Sequence, residues 1–255
     1  WKRKNFWVLE MQPASVDWAQ VSNSLDKGET RAMAWEAVGH GADCIAFWQW
    51  RSALNGQEQY HGALVGPDGE PLPLYAEIAQ TGAEFAKAAP ALAGTSPQSE
   101  VALLHDYDSR WAIDFNRHSL RYEQLEVLQG YYGALRGVTQ AVDIVDPAFS
   151  LDRYKLVVAP SLNVISAALA KHLTEYVAHG GHLVLGPRSG MKNEFNALNL
   201  ERQPGPLAET LGGRVEQFYA LLDEVPVSGE WGSGHAAIWA EYLSTAAPDA
   251  AVKLR

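Results

Sequence analysis

Apolar positions along this chain follow two rhythms, divided near residues 90–97. In the first, short continuous apolar runs alternate with long polar loops. Asn5-Phe6-Trp7-Val8-Leu9 predicts a buried strand ending at Glu10, and Met11-Gln12-Pro13 breaks it. Residues 14–28 are polar and turn-rich, which predicts a loop. Glu29 to Gly39 is rich in good helix formers and is stopped by Gly41. Cys44 to Trp50 predicts a second buried strand, residues 51–72 a second long Gly-rich loop, and Leu74 to Ala89 a second helix. Pro90 to Pro97 predicts a boundary.

Strand, loop, helix and strand make a βα repeat. The runs are continuous rather than alternating, as expected of parallel strands buried on both faces. In a (β/α)8 barrel the active site lies at the carboxyl ends of the strands, where these long loops leave. Two βα units cannot close a barrel, so the expectation is its last part. The opening residues, Trp1-Lys2-Arg3-Lys4-Asn5, lead straight into a structured motif, which predicts further sequence upstream.

A second rhythm begins at Ser99. Val101 to Leu104, Val142 to Val145, Leu156 to Pro160 and His182 to Leu185 predict short strands. Tyr122 to Arg136 predicts a helix, with Leu125, Leu128, Tyr132 and Leu135 at helical spacing. Ile165 to Ala178 predicts another, with Ile165, Leu169, Leu173 and Val177 in one row and Gly180-Gly181 at its end. This is a doubly wound α/β pattern. Beyond about Gly190 it blurs into Pro/Gly-rich segments. The two rhythms predict two domains, 1–95 and 96–255.

Composition narrows the function classes. The 255 residues are 47% hydrophobic, enough for a sizeable core without staples. A net charge of −10 disfavours nucleic acid and anionic membrane as partners, since both need a cationic face. No apolar stretch approaches the ~18 residues of a membrane span. With Cys44 the single cysteine, no disulfide framework can form within the chain, and a cytoplasmic location is expected. Cys44, inside an apolar run, is expected to be a small buried residue. Tryptophans gather early in the chain at Trp1, Trp7, Trp18, Trp48 and Trp50. Aromatic planes in clefts suit the apolar faces of sugars, but Trp7 and Trp35 read as core.

Three segments could carry chemistry. Glu10 closes an apolar strand before Gln12-Pro13, which would put a carboxylate at a barrel mouth; an ordinary pairing Glu is the equal alternative. Glu58-Gln59-Tyr60-His61 offers a carboxylate and an imidazole able to converge on one small polar ligand. Two donors do not make a metal site, so no metal and no cofactor are expected. Alternation through Trp48-Gln49-Trp50-Arg51 sends the tryptophans to one face, where they could form barrel core, and Arg51 to the other, where it could orient a carboxylate.

Together these pieces resemble the β-galactosidases of glycoside hydrolase family 42. Phe6-Trp7-Val8-Leu9-Glu10-Met11-Gln12-Pro13, with Val16-Asp17-Trp18, resembles the family's nucleophile strand. Phe47-Trp48-Gln49-Trp50-Arg51, with the segment Gly56 to Gly62, resembles its eighth barrel strand and following loop. Asp106-Tyr107-Asp108-Ser109-Arg110-Trp111 is similar to the start of its second domain. The resemblance runs through roughly the first 190 residues.

What it implies is specific. The family is retaining, so two carboxylates act ~5–5.5 Å apart, one attacking the anomeric carbon and the other protonating the leaving oxygen. Glu10 matches the nucleophile. Trp18, Glu58 and His61 match residues lining the galactose subsite, with Glu58 and His61 holding hydroxyls and Trp18 forming an apolar wall. The family's acid/base is a Glu after an Asn on an earlier strand. Here Asn193-Glu194 is in the wrong context, so the resemblance implies a segment inactive alone.

Residues 99 to 255 resemble the family's trimerisation domain, flavodoxin-like and akin to class I glutamine amidotransferases, which implies a homotrimer. Amidotransferase chemistry is excluded because that stretch has no cysteine. Gly186-Pro187-Arg188-Ser189-Gly190 reads as a tight connection. His105, Asp106, Asp108 and Arg110 read as a solvated loop or an intersubunit cluster. The competing function is a non-catalytic oligomerisation or carbohydrate-binding module.

Overall fold

The computed structural model describes residues 4–251 and 253. Trp1 of the early aromatic group therefore lies outside the described residues. The chain is α/β and divides into two compact units, Trp1–Pro97 and Gln98–Arg255. No helix among the described residues is long and apolar enough to cross a membrane.

In the first unit, β1 (Phe6–Met11) and β2 (Ala42–Phe47) pair in parallel, with α1 (Glu29–Gly39) between them and α2 (Tyr75–Leu92) after them. Trp7 lies opposite Cys44 and Val8 opposite Ile45, and an irregularity follows before Met11 meets Phe47. The two helices lock through one carboxylate. Glu84 accepts from Arg31 Nε at 2.8 Å, Trp35 Nε1 at 2.9 Å and Gln80 Nε2 at 2.9 Å. Trp35 meets the ring of Phe85 edge-on at 4.8 Å. A second α2 carboxylate closes the start of α1, where a helix leaves N–H groups unpaired. Glu77 accepts from the N–H of Gly28 at 2.7 Å and of Arg31 at 3.0 Å.

Two expectations need correcting in this unit. Helix α2 does not stop before Pro90 but runs to Leu92. Pro90 sits near the helix end, so only one ladder bond is forgone. Strand β1 is also not buried, with Trp7 65% exposed and Leu9 72%, while β2 is mostly half-buried. Trp7, read as core, stands on a strand side that nothing in this unit covers, while Trp35 is half-buried between helices.

In the second unit four parallel strands lie in the order β4-β3-β5-β6: β3 (Val101–Leu104), β4 (Asp143–Val145), β5 (Leu156–Ala159) and β6 (His182–Leu185). Alternation along the strands feeds two cores. Ala102, Leu104, Val157 and Ala159 pack with Ala170, Leu173 and Tyr176 of α5 (Ala167–Ala178). Leu103 and Val158 pack with Leu128 of α4 (Gln124–Arg136), with Val101, Tyr132 and Leu135 against them. Helices therefore cover both sheet faces, as buried parallel strands require.

The stretch read as a solvated loop is a helix, α3 (Tyr107–Phe115). Asp106 caps it by accepting from the N–H of Ser109 at 2.8 Å, and Arg110 pairs with Asp114 one turn on at 3.8 Å. These groups serve their own helix. The blurred tail contains short α6 (Ala208–Leu211) and two antiparallel pairs, β7 (Gly213–Ala220) with β10 (Trp239–Thr245) and β8 (Val225–Gly229) with β9 (Gly232–Ala236). Their burial is patchy, so no clean period marks them.

The glycine-bounded connection after β6 is tight. A Cβ at Gly186 would lie 2.1 Å from the carbonyl oxygen of Pro160, and one at Gly190 2.1 Å from that of Pro204. Between them Arg188, 2% exposed, is sealed in the unit. Its guanidinium donates to the carbonyls of Arg117 at 2.9 Å and Asn116 at 2.8 Å and lies over the rings of Tyr122 and Trp239 at 4.8 and 5.0 Å. Its backbone N–H donates to Glu241 at 2.9 Å, which also accepts from Gln203 and the Trp239 indole. Burial lowers the Arg188 pKa from its ordinary value and raises that of the Tyr122 hydroxyl to about 12.

Arg188→Met leaves the buried carbonyls of Asn116 and Arg117 without their donor. The expected loss is roughly 3–5 kcal/mol of stability, read as a lower urea midpoint for the second unit. For the first unit the expectation concerns pH. The Arg31, Trp35 and Gln80 hydrogen bonds hold Glu84 at about 2, below its ordinary 4.5. A depressed carboxyl stabilises above its unfolded value and loses that contribution as pH falls through the folded one. Between about pH 4.5 and 2 the wild type should lose stability relative to Glu84→Gln, and less so in high salt.

Candidate functional site

Parallel pairing puts the carboxyl ends of β1 and β2 side by side, so the loops that follow leave from one edge. The pairing extends past β2, because the N–H of Trp48 donates to Met11 O at 3.0 Å. The second loop then folds back on its own start: Leu64 N–H donates to Gln49 O at 3.0 Å and Val65 N–H to Trp50 O at 2.9 Å. It is also stapled to the first loop, where Gly62 N–H donates to Ser15 O at 2.8 Å. Only glycine fits there, since a Cβ on Gly62 would lie 2.5 Å from the Ala14 Cβ and 2.8 Å from Ser15 backbone.

Two polar pairs sit in this stapled edge. His61 is 5% exposed, and its Nδ1 faces Asp17 Oδ1 at 3.3 Å. A carboxylate there favours the tautomer with the proton on Nδ1, leaving Nε2 as an acceptor in the neutral ring. The Ser52 hydroxyl donates to the His61 carbonyl at 2.6 Å and fixes its backbone. Glu58 is exposed, and Oε2 accepts from the Trp48 indole at 3.3 Å. A carboxylate with one such donor keeps lone pairs for ligand hydroxyls. The Trp48–Gln49 peptide between these elements is cis.

Glu10 is exposed near the end of β1, one residue before the Met11 carbonyl that Trp48 engages. Trp18 is 77% exposed, next in sequence to Asp17. The edge thus brings Glu58 to Trp48 and His61 to Asp17. Among the described residues no hydrogen bond joins Glu10 to Glu58 or His61. Nor does any group of three or more His, Cys, Asp or Glu among them suit a metal ion.

Sequence reasoning assigned no role to Asp17 and none to the Trp48 indole N–H. Asp17 lies 44 positions before His61, too far for any local pattern to link them. The Trp48 indole donates to Glu58, and Trp50 is 61% exposed with its ring edge-on to that of Tyr75. Arg51 does not orient a carboxylate: its guanidinium donates to the Pro67 carbonyl and braces the second loop.

Comparison with known proteins bears on this edge. A family model described as "Beta-galactosidase" matches residues 1–88, and one described as "Beta-galactosidase trimerisation domain" matches residues 99–254. Beta-galactosidase Bga of Halorubrum lacusprofundi is 41% identical over 217 residues, 85% of this chain and 30% of that protein. Beta-galactosidase BgaH of Haloferax lucentense is 38% identical over 245 residues, 95% of this chain and 36% of that one. The solved structure of the Halorubrum lacusprofundi β-galactosidase matches 98% of this chain and 37% of its own at a TM-score of 0.91 and 37% identity. That of the Marinomonas ef1 enzyme matches 98% and 38% at 0.90 and 33%. The chain thus spans about a third of the length of these relatives.

Gly62→Ala is the sharpest test of the stapled edge. The added methyl must push residues 14–15 away from His61, so faster proteolytic cleavage within residues 51–72 is expected, with a loss of about 1–3 kcal/mol from the first unit.

Proposed function

This chain belongs to glycoside hydrolase family 42, the β-galactosidases, and from that membership we propose that it carries the nucleophile and part of the galactose subsite of a retaining β-galactosidase. The observation that carries the reading is the shared carboxyl edge of β1 and β2, where Glu10 ends one strand and the loop after the other is pinned with Glu58 and His61. In this reading residues 1–95 are the last two βα units of a (β/α)8 barrel. The exposed faces of Trp7 and Leu9 are then those that its remaining strands would cover.

Glu10 attacks the anomeric carbon and forms the glycosyl-enzyme. A second carboxyl, ~5–5.5 Å away in such enzymes, protonates the leaving oxygen and then activates water. That acid/base belongs to an earlier barrel strand, outside these 255 residues. Glu58, held by the Trp48 indole, accepts galactose hydroxyls. His61, oriented by Asp17, holds another, and Trp18 lies against the apolar face of the sugar. Such anchors fix the anomeric carbon before the nucleophile. Residues 96–255 join three copies. Alone, the chain binds without turnover.

The test grafts this segment into the Halorubrum lacusprofundi enzyme in place of the matching third. With a 2-fluoro galactoside bearing an activated leaving group, the covalent adduct should map to the Glu10 peptide. Glu10→Gln should lower kcat/KM for an aryl β-D-galactoside by roughly 1000-fold or more. Labelling of another carboxylate would refute the nucleophile assignment. An active graft that forms no adduct would refute the retaining mechanism, and turnover by the isolated chain would refute the missing acid/base.

A further inference from the structure

Three stretches of the second unit, far apart in the chain, meet at the imidazole of His118. His118 follows α3 in a bend with left-handed backbone, φ 61°, which Asn, Asp and His tolerate better than most side chains. From the connection after β6, Arg188 Nη2 lies 3.2 Å from His118 Nδ1. From the antiparallel tail, the rings of Phe218 in β7 and Trp239 in β10 stand edge-on to the imidazole at 5.2 and 5.9 Å. Those two rings stack on each other at 4.9 Å, and Trp239 packs with Ile113 of α3 and Tyr122. The imidazole therefore sits at the seam where the tail joins the helices of the parallel sheet.

Arg188 dictates the polarity of this contact. A guanidinium carries only donors and keeps its charge, so the nitrogen facing it must offer a lone pair. His118 is neutral in this arrangement, with its proton on Nε2. A proton taken from solvent at Nδ1 removes that lone pair and sets two cations 3.2 Å apart. Arg188 has no room to yield: it is 2% exposed and tied to the Asn116 and Arg117 carbonyls. His118 is exposed and is the group that must leave. The surrounding charges do not relieve the conflict. Lys192 adds a second positive charge from the same connection. Glu241 of β10 is engaged by Arg188 N–H, Gln203 and the Trp239 indole. Asp114 of α3 and Glu123 pair with Arg117, and the Tyr122 hydroxyl is bonded to Ser161. Burial first, then Arg188, lowers the His118 pKa from its ordinary 6.5, against a smaller opposite pull from the Asn116 carbonyl.

We propose that His118 is an acid-sensitive clasp on the antiparallel tail, closed while its ring accepts from Arg188 and opened when that ring takes a second proton. Opening withdraws the imidazole from the edges of Phe218 and Trp239 and frees the bend at residues 116–118 from the tail. A histidine whose folded value is depressed stabilises fully above its unfolded value and loses that contribution as pH falls toward the folded one. The clasp is therefore whole above about pH 6.5 and weakens below it.

The experiment is amide hydrogen exchange on the 255-residue chain between about pH 7 and 5, corrected for the intrinsic exchange rate at each pH. Wild type is compared with His118→Asn, which keeps an acceptor for Arg188, tolerates the left-handed backbone and does not titrate. Protection of the β7–β10 ladder should fall several-fold in the wild type as pH drops, while the four parallel strands keep theirs. In the variant the ladder should hold. An NMR titration of the His118 ring in the wild type supplies a readout that needs no variant. Its midpoint should lie below 6.5, and the ladder should loosen with that same midpoint. Equal loss of protection in both proteins overturns the clasp. So does a wild-type ladder indifferent to pH, a ladder that loosens at a different midpoint, or a ring that titrates at or above 6.5.

Discussion

A parallel strand pair must be covered on both faces, because its crossover connections leave no inherently wet side. That requirement organises both units. In the second unit the four strands meet it internally, with α4 on one face and α5 on the other, and alternate residues of β3 and β5 serve the two cores. In the first unit α1 and α2 supply the helical cover, while Trp7 and Leu9 of β1 remain in the open. The same constraint gives the first unit its functional edge, since parallel strands discharge their loops at one end.

Much of this was legible because the relevant signals are local. Continuous apolar runs gave the strands, and Glu29 to Gly39 gave a helix with the observed bounds. The glycine-bounded loop after β6 read as tight, and the close approach of two carbonyls bears that out. Three things were hidden. Helix α3 has a polar and aromatic sequence whose buried side is only Ser109, Ala112 and Ile113, so its apolar period is faint. The antiparallel pairs of the tail carry little buried surface. Strand burial depends on what packs against a strand, which no strand's own sequence records.

The candidate edge divides in the same way. Residues 10, 18, 58 and 61 were singled out by resemblance to family segments rather than by periodicity, and the groups that hold Glu58 and His61 were not singled out at all. Asp17 reaches His61, and Trp48 reaches Glu58, across loops whose fold depends on Gly62 lying against residues 14–15. Sequence periodicity finds elements; it does not find side chains that meet through irregular backbone. Arg188 makes the same point in the second unit, where a residue read as part of a turn is a buried cation among carbonyls and rings.

The cap on α1 has a consequence for the order of events in synthesis. Most helices carry their own terminus in the residues just before them, and can complete it as soon as those residues exist. Here the carboxylate that receives the N–H groups of Gly28 and Arg31 belongs to Glu77, 49 and 46 positions later. On the ribosome α1 emerges with its first turn unfinished. It stays so until the whole second strand, its long loop and the start of α2 have followed.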